Sequence, residues 1–351
     1  MIDSPQTLAD FLSKLRAASW VAMDTEADSL HSYPEKLCLV QISLEGRDAL
    51  VDPLAGLDLS DFWAELRRHE LILHGADYDL RLMRKGPGFV PERVFDTMLA
   101  ARLLGEREFG LTNLVAKYLG VTLEKGSQRA DWSRRPLTPK MEAYARNDSH
   151  YLNALATFLR RQLQDKGRLE WQRESCERLI AECSVLTPPD PDLVWRIRGS
   201  HALGRVSLAV MRELWAWRER EAVAANRPPY FILSHEAMVG VAEATPRNAP
   251  IDGFLPRHFS ARRKDGLLEA IAAGLAVEPS QQPHLLSNHS RRMTSAELDR
   301  FAALENRRNR AADDLVIDPT LIASRATLLA LARDWDKHAP ELMNWQRQLL
   351  G

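Results

Sequence analysis

Acidic residues stand at three places in the sequence from which they could share cations. Asp24-Thr25-Glu26 closes an apolar run, Trp20-Val21-Ala22-Met23, and because strand side chains alternate, its two carboxylates point to one face. Asp79 lies in His74-Gly75-Ala76-Asp77-Tyr78-Asp79-Leu80, where an apolar strand gives way to helical spacing. Asp77 competes with it there, since helix dipoles alone select acids in a first turn. Tyr144 and Asp148 stand four apart, which places a phenol and a carboxylate on one helix face. Four hard oxygen ligands from three segments suit two Mg²⁺ or Mn²⁺ ions roughly 3.5–4 Å apart. Such a pair serves in-line attack on a phosphodiester, one ion at the attacking water and one at the leaving 3′ oxygen. Tyr144 would orient or deprotonate that water. Each feature also has an ordinary counterpart: an exposed strand end, a helix-dipole acid, a core aromatic beside a surface acid.

The surrounding pattern supplies elements to hold them. Short apolar strands are expected at Trp20–Met23, Leu37–Ile42, Ala49–Val51 and Leu71–His74, with a helix from Ala76 to Lys85 that stops at Gly86-Pro87. Thr138 is a good N-cap and Pro139 suits a first turn. Apolar positions from Met141 through Leu159 then predict one long helix ending near Gly167. Another helix follows from about Leu169 to Cys183. Thr187-Pro188-Pro189-Asp190-Pro191 interrupts regular structure and marks a linker.

Length and composition are consistent with this division. A chain of 351 residues exceeds a usual single domain, so two or three are expected. A hydrophobic content of 45% excludes wholesale disorder. No apolar run approaches the roughly 20 residues of a membrane-spanning helix, and Asp3 and Asp10 do not fit a basic-then-apolar leader. A cytoplasmic protein is expected. Cys38, Cys176 and Cys183 form no CxxC pair, which argues against a disulfide framework or a zinc site. Residues 1–190 carry 25 basic and 29 acidic side chains and residues 191–351 carry 22 and 19, so the halves hold -4 and +3. That asymmetry suits an acidic catalytic half and a basic docking half.

Beyond the linker no strand-like alternation remains, and Glu278-Pro279-Ser280-Gln281-Gln282-Pro283 divides the rest into two helical modules. They align without gaps at a shift of 90 residues: Leu214 with Leu304, Arg218 with Arg308, Pro229 with Pro319, Ile232 with Ile322, Ser234 with Ser324. This is a diverged tandem repeat.

Taken in order, the acidic segments resemble the DEDD exonuclease superfamily, with Asp24-Thr25-Glu26 as its first motif, Asp79 its second and Tyr144-Ala145-Arg146-Asn147-Asp148 its third. The tyrosine marks the DEDDy branch, and within it the chain is most similar to the ribonuclease D family. Asp131-Trp132-Ser133-Arg134-Arg135-Pro136-Leu137 also resembles the stretch before motif three. The modules resemble HRDC domains, most clearly at Asn226-Arg227-Pro228-Pro229-Tyr230-Phe231-Ile232-Leu233-Ser234. The second copy keeps Pro319 and Ser324 but loses the aromatic residues, which weakens the case for nucleic-acid binding there.

The resemblance implies an α/β ribonuclease H-like exonuclease domain over 1–186, a mixed central sheet flanked by helices. All-α HRDC modules over 192–276 and 291–351 would follow. It implies 3′-5′ hydrolysis of RNA, with tRNA precursors as the expected substrate and nucleoside 5′-monophosphates as products. Asp24, Glu26, Asp79 and Asp148 would ligate the metals, and Tyr144 would join them in catalysis. Thr25 and Leu30 would meet the terminal nucleotide, Leu30 as a wedge against its base. Arg129, Arg134 and Arg135 would contact phosphates. Basic clusters such as Arg262-Arg263-Lys264 and Arg307-Arg308 would grip structured RNA. No membrane and no obligate protein partner are implied. The same carboxylates would also cut DNA, so a repair-type 3′-5′ DNA exonuclease is the alternative, with a non-catalytic RNA-binding protein more remote.

Overall fold

The computed structural model describes residues 1–124, 126–286 and 291–351. Five strands form one sheet: β1 (Val21–Ala27), β2 (Leu37–Leu44), β3 (Arg47–Val51), β4 (Glu70–Leu73) and β5 (Arg93–Asp96), in the order β3-β2-β1-β4-β5. The β1, β2 and β3 ladders are antiparallel, and β4 joins β1 and β5 in parallel, so the sheet is mixed. Both faces are covered. Val21 and Met23 enter one apolar core with Phe11, Phe62 and Leu71, while Ala22 enters another with Ile72 and Phe95, as two-residue alternation requires.

The helices are α1 (Pro5–Ala17), α2 (Ser60–Leu66), α3 (Asp77–Lys85), α4 (Thr97–Leu103), α5 (Leu111–Leu119), α6 (Pro139–His150), α7 (Leu152–Asp165) and α8 (Leu169–Ser184). After the linker come α9 (Arg205–Ala225), α10 (Pro229–Ile232), α11 (His235–Ala244), α12 (Ala261–Leu275), α13 (Ser295–Leu315), α14 (Pro319–Ile322), α15 (Arg325–Arg333), α16 (Trp335–His338) and α17 (Asn344–Leu350). Three details differ from the sequence expectation. β1 runs on through Asp24 and Glu26 instead of ending before them. β5, four residues long, was not expected at all. The long helix from Thr138 breaks at Tyr151, whose backbone closes α6 and opens α7.

The chain divides into two compact units, and their limits cut across the expected domains. One comprises 1–27, 36–186 and 291–351; the other comprises 28–35 and 187–290. The last segment joins the first because they share a core: Leu103, Leu155 and Leu159 pack in one apolar cluster with Ile322, Leu328, Leu331 and Trp345, and Trp171 stacks on Trp345 at 4.9 Å. The buried Arg168 adds a polar tie, donating to the Leu103 and Leu315 carbonyls at 2.8 Å each. In the other unit, the Tyr33 hydroxyl bonds Glu219 and the Tyr230 hydroxyl donates to the Leu30 carbonyl at 3.3 Å.

The 90-residue shift recurs in the geometry of the two modules. α9 and α13 each span 21 residues and end in the left-handed region, at Asn226 (φ 45°) and Val316 (φ 54°). Ser234 and Ser324 cap α11 and α15 from the same backbone conformation. Arg218 donates to the Leu233 carbonyl at 3.5 Å, and Arg308 to that of Ala323 at 3.2 Å.

Candidate active site

The acids converge at the C-terminal end of β1. Asp24 and Glu26 lie two apart on this strand, and α6 lies across the sheet above it with its buried side on Met141, Ala145 and Ser149. The N-cap is Thr138, whose hydroxyl accepts from the Met141 N–H at 3.2 Å. Ser149 is anchored to Ser43 of β2 at 2.8 Å, and Arg146 and His150 hold Asp48 at 2.5 and 2.7 Å. With the helix fixed in this rotation, Asp148 falls beside β1. One carboxylate oxygen each from Asp24, Glu26 and Asp148 lie within 4.8 Å of one another.

Asp79, on α3, is not one of the three acids within 4.8 Å; it is buried, accepts a hydrogen bond from the Thr25 hydroxyl and is coupled by charge to Asp24 and Glu26. Asp77 is turned outward, paired with Arg81 at 3.0 Å and close to Cys183. The start of α3 is held by a residue the sequence did not single out. Buried Asp96 accepts from the Gly75 and Ala76 N–H groups at 3.0 and 2.8 Å, and from Met98 and Leu99 as the N-cap of α4. Gly75 has φ +70°, a conformation few other residues adopt. An Asp at the end of a strand before a helix was the available signal.

Burial, reinforced by charge repulsion, governs the cluster. Burial and Asp148 raise Asp24 from 3.8 to about 7, and burial raises Asp148 to about 7. Burial together with Asp24, Asp148 and Asp79 lifts Glu26 from 4.5 to about 10. Burial and Asp24 hold Asp79 well above its ordinary value. Burial and the surrounding carboxylates also raise the Tyr144 phenol, which hydrogen-bonds Asp148. Metal-free, the hydroxyl therefore stays protonated and acts as a donor. Converging acids that resist ionisation, all hard oxygen ligands, fit divalent cations. Gln41 adds to the fit: it pairs with Asp24 across the β1–β2 ladder, and its fully buried amide has no hydrogen-bond partner among the described residues.

A cavity of about 440 Å³ opens on Asp24, Tyr144 and Asp148 and is also lined by His74, Asn113, Gln128 and Asn147. The sequence had not marked these last four. Of the expected substrate contacts, Thr25 is buried against Asp79, and Leu30 is exposed in the 28–35 segment. Arg129 and Arg134 are exposed, Arg134 beside Asp131 at 3.2 Å. Arg135 departs from its expected phosphate role. Its guanidinium bonds both Asp52 oxygens at 2.5 and 2.6 Å and the Cys38, Trp132 and Arg134 carbonyls. All five N–H groups of an arginine are thereby used.

A mixed sheet carrying an acidic pair on its central strand, a third acid from a helix and a Tyr-x-x-x-Asp helix above defines a 3′-5′ exonuclease of the DEDD type. Residues 1–164 match the 3′-5′ exonuclease family and residues 207–250 the HRDC domain. The chain is 30% identical to ribonuclease D of Gluconacetobacter diazotrophicus, covering 100% of this chain and 90% of the relative. Identity to ribonuclease D of Zymomonas mobilis is 35%, over 81% of this chain and 74% of that one. Escherichia coli RNase D, described as an exoribonuclease involved in structured RNA processing, superposes with a TM-score of 0.77 at 26% identity, covering 100% and 98%. A Bifidobacterium adolescentis protein gives 0.85 at 26%, covering 100% and 94%. The chain belongs to the ribonuclease D family and is a metal-dependent 3′-5′ exoribonuclease.

Proposed function

We propose that Asp24, Glu26, Asp79 and Asp148 hold two divalent ions, Mg²⁺ or Mn²⁺, and that Tyr144 orients the attacking water. The observation that carries this is the approach of Asp24, Glu26 and Asp148 oxygens to within 4.8 Å from two separate elements. When bound, the ions neutralise the carboxylates, lower the barrier to ionising a water and stabilise charge on the leaving oxygen. The Tyr144 hydroxyl, raised above its ordinary pKa and bonded to Asp148, gives that water a fixed hydrogen-bond partner. Water oxygen bonds to the terminal phosphorus, the bond from phosphorus to the penultimate 3′ oxygen breaks, and that oxygen takes a proton. A nucleoside 5′-monophosphate leaves.

The substrate in this reading is structured RNA with a free 3′ end, tRNA precursors foremost, met in the cytoplasm without an obligate protein partner. Support for structured RNA is the description of the E. coli relative. Thr25, Leu30, Arg129 and Arg134 are the proposed substrate contacts, and the domains are 1–186, 192–276 and 291–351. We assign 291–351 as a diverged second HRDC module, on the repeated helix lengths, left-handed caps and Arg-to-carbonyl bonds. Asp148→Ala, assayed on a 3′-labelled tRNA precursor in Mg²⁺, is expected to lose at least a thousandfold in kcat, as is the wild type in excess chelator. Wild-type rates in either case would refute the metal assignment.

A further inference from the structure

His74 follows the last residue of β4 and lines the same cavity as Asp24, Tyr144 and Asp148. Its Nδ1 lies 2.9 Å from the Thr97 hydroxyl. That hydroxyl has one proton, and it donates it to the Leu73 carbonyl at 3.0 Å. With the proton committed, Thr97 can only accept from the ring, so Nδ1 carries the hydrogen. In a neutral imidazole the other nitrogen, Nε2, is then a lone-pair acceptor. Burial favours that neutral form, lowering the pKa of His74 against an opposing effect of Asp96. Thr97 is itself fully buried at the start of α4, whose N-cap is Asp96, so the tautomer is set by a rigid neighbour.

An acceptor lining the cavity on which the acids open selects for one kind of group. Phosphate oxygens are acceptors too and find no partner in it, whereas O–H and N–H groups do. The terminal ribose is joined to the scissile phosphorus through O5′, so it is the part of the leaving nucleotide that must lie nearest the acids. Its 2′-hydroxyl is the donor that separates RNA from DNA. We propose that His74 Nε2 accepts a hydrogen bond from the 2′-hydroxyl of the 3′-terminal nucleotide and so reads ribose against deoxyribose at the chain end. This rests on the proposed placement of the scissile phosphate at the four carboxylates.

The test is single-turnover release of the first nucleotide from RNAs that differ only in a ribose or 2′-deoxyribose 3′ terminus, ending in A or U. Wild type is expected to favour the ribose end by roughly three- to tenfold in kcat/KM, the worth of one neutral hydrogen bond. His74→Ala should lose that factor on the ribose end and far less on the deoxyribose end, collapsing the preference. His74→Gln, whose amide oxygen can accept, should recover most of it. Equal losses on both ends would overturn the assignment, and so would a loss confined to terminal A, which would point to a base amine. Nitrogen-15 spectra of the unliganded protein give an independent readout: Nε2 must be the unprotonated nitrogen, and a protonated Nε2 refutes the proposal. Failure of the metal assignment would show instead in an active Asp148→Ala, with the ribose preference and the tautomer untouched.

Discussion

The Thr25 hydroxyl donates to the Asp79 carboxylate, joining the central strand to a helix 54 residues further along. The alternation that sends Asp24 and Glu26 to one face sends Thr25 to the other, and there it meets the fourth acid. A hydroxyl that fixes a buried carboxylate is a typical outer partner of a metal ligand. Thr25→Val keeps the shape and removes the donor. It is expected to weaken Mn²⁺ binding by about 10- to 100-fold, read by titration calorimetry. Unchanged affinity would show that the bond does not hold Asp79 for the metal.

The raised carboxyl groups make the metal-free fold sensitive to alkali. In the unfolded chain these acids ionise near 3.8 and 4.5, while in the folded protein Asp24 and Asp148 sit at about 7 and Glu26 at about 10. Folding therefore favours their protonated forms, and that stability is complete below about pH 4 and lost as pH rises through 7 and then 10. In chelator, Tm should fall steadily between pH 5 and 9, by a few kcal/mol in free energy. Asp148→Asn should flatten the slope, and added Mg²⁺ should raise Tm more at pH 9 than at pH 5. A Tm that climbs with pH in chelator would contradict the electrostatic account.

In the proposed mechanism Tyr144 acts on the water and not on the metal. Its ring lies 6.2 Å from that of buried Trp132, so Tyr144→Phe should leave the packing intact. We expect kcat to fall about 100-fold with Mn²⁺ affinity and Tm nearly unchanged. Loss of metal binding in this variant would make the phenol a ligand-positioning group instead.

Val316 closes α13 at φ 54° and is largely exposed, a conformation disfavoured for a β-branched residue. At the equivalent place Asn226 closes α9 at φ 45°. Val316→Asn is expected to stabilise the protein by about 1 kcal/mol, measured by denaturant unfolding. The reverse change, Asn226→Val, should destabilise by a similar amount. No change in either would mean that the left-handed conformation costs a valine nothing at these caps.

Much of this was legible from local pattern. Thr138, Pro139 and the apolar positions after them announced α6, and four-residue spacing put Tyr144 over Asp148 on one face. The repeat at 90 residues was visible because its caps, prolines and arginines are fixed by backbone geometry. What stayed hidden depends on distant partners. Nothing near Arg135 reveals that Asp52, 83 residues earlier, takes its guanidinium. Asp77 and Asp79 look alike until Arg81 and Thr25 claim one each. The core that joins Leu155 and Leu159 to Leu328 and Leu331 gives each helix only an ordinary apolar stripe, so this shared packing is not visible in the sequence.

The central claim is that four carboxylates hold two divalent ions. Anomalous scattering from crystals soaked in Mn²⁺ tests it most directly. Two peaks are predicted, roughly 3.5–4 Å apart, bounded by Asp24, Glu26, Asp79 and Asp148 with Asp77 uninvolved. No peak among these residues, or one centred on Asp77, would contradict the account.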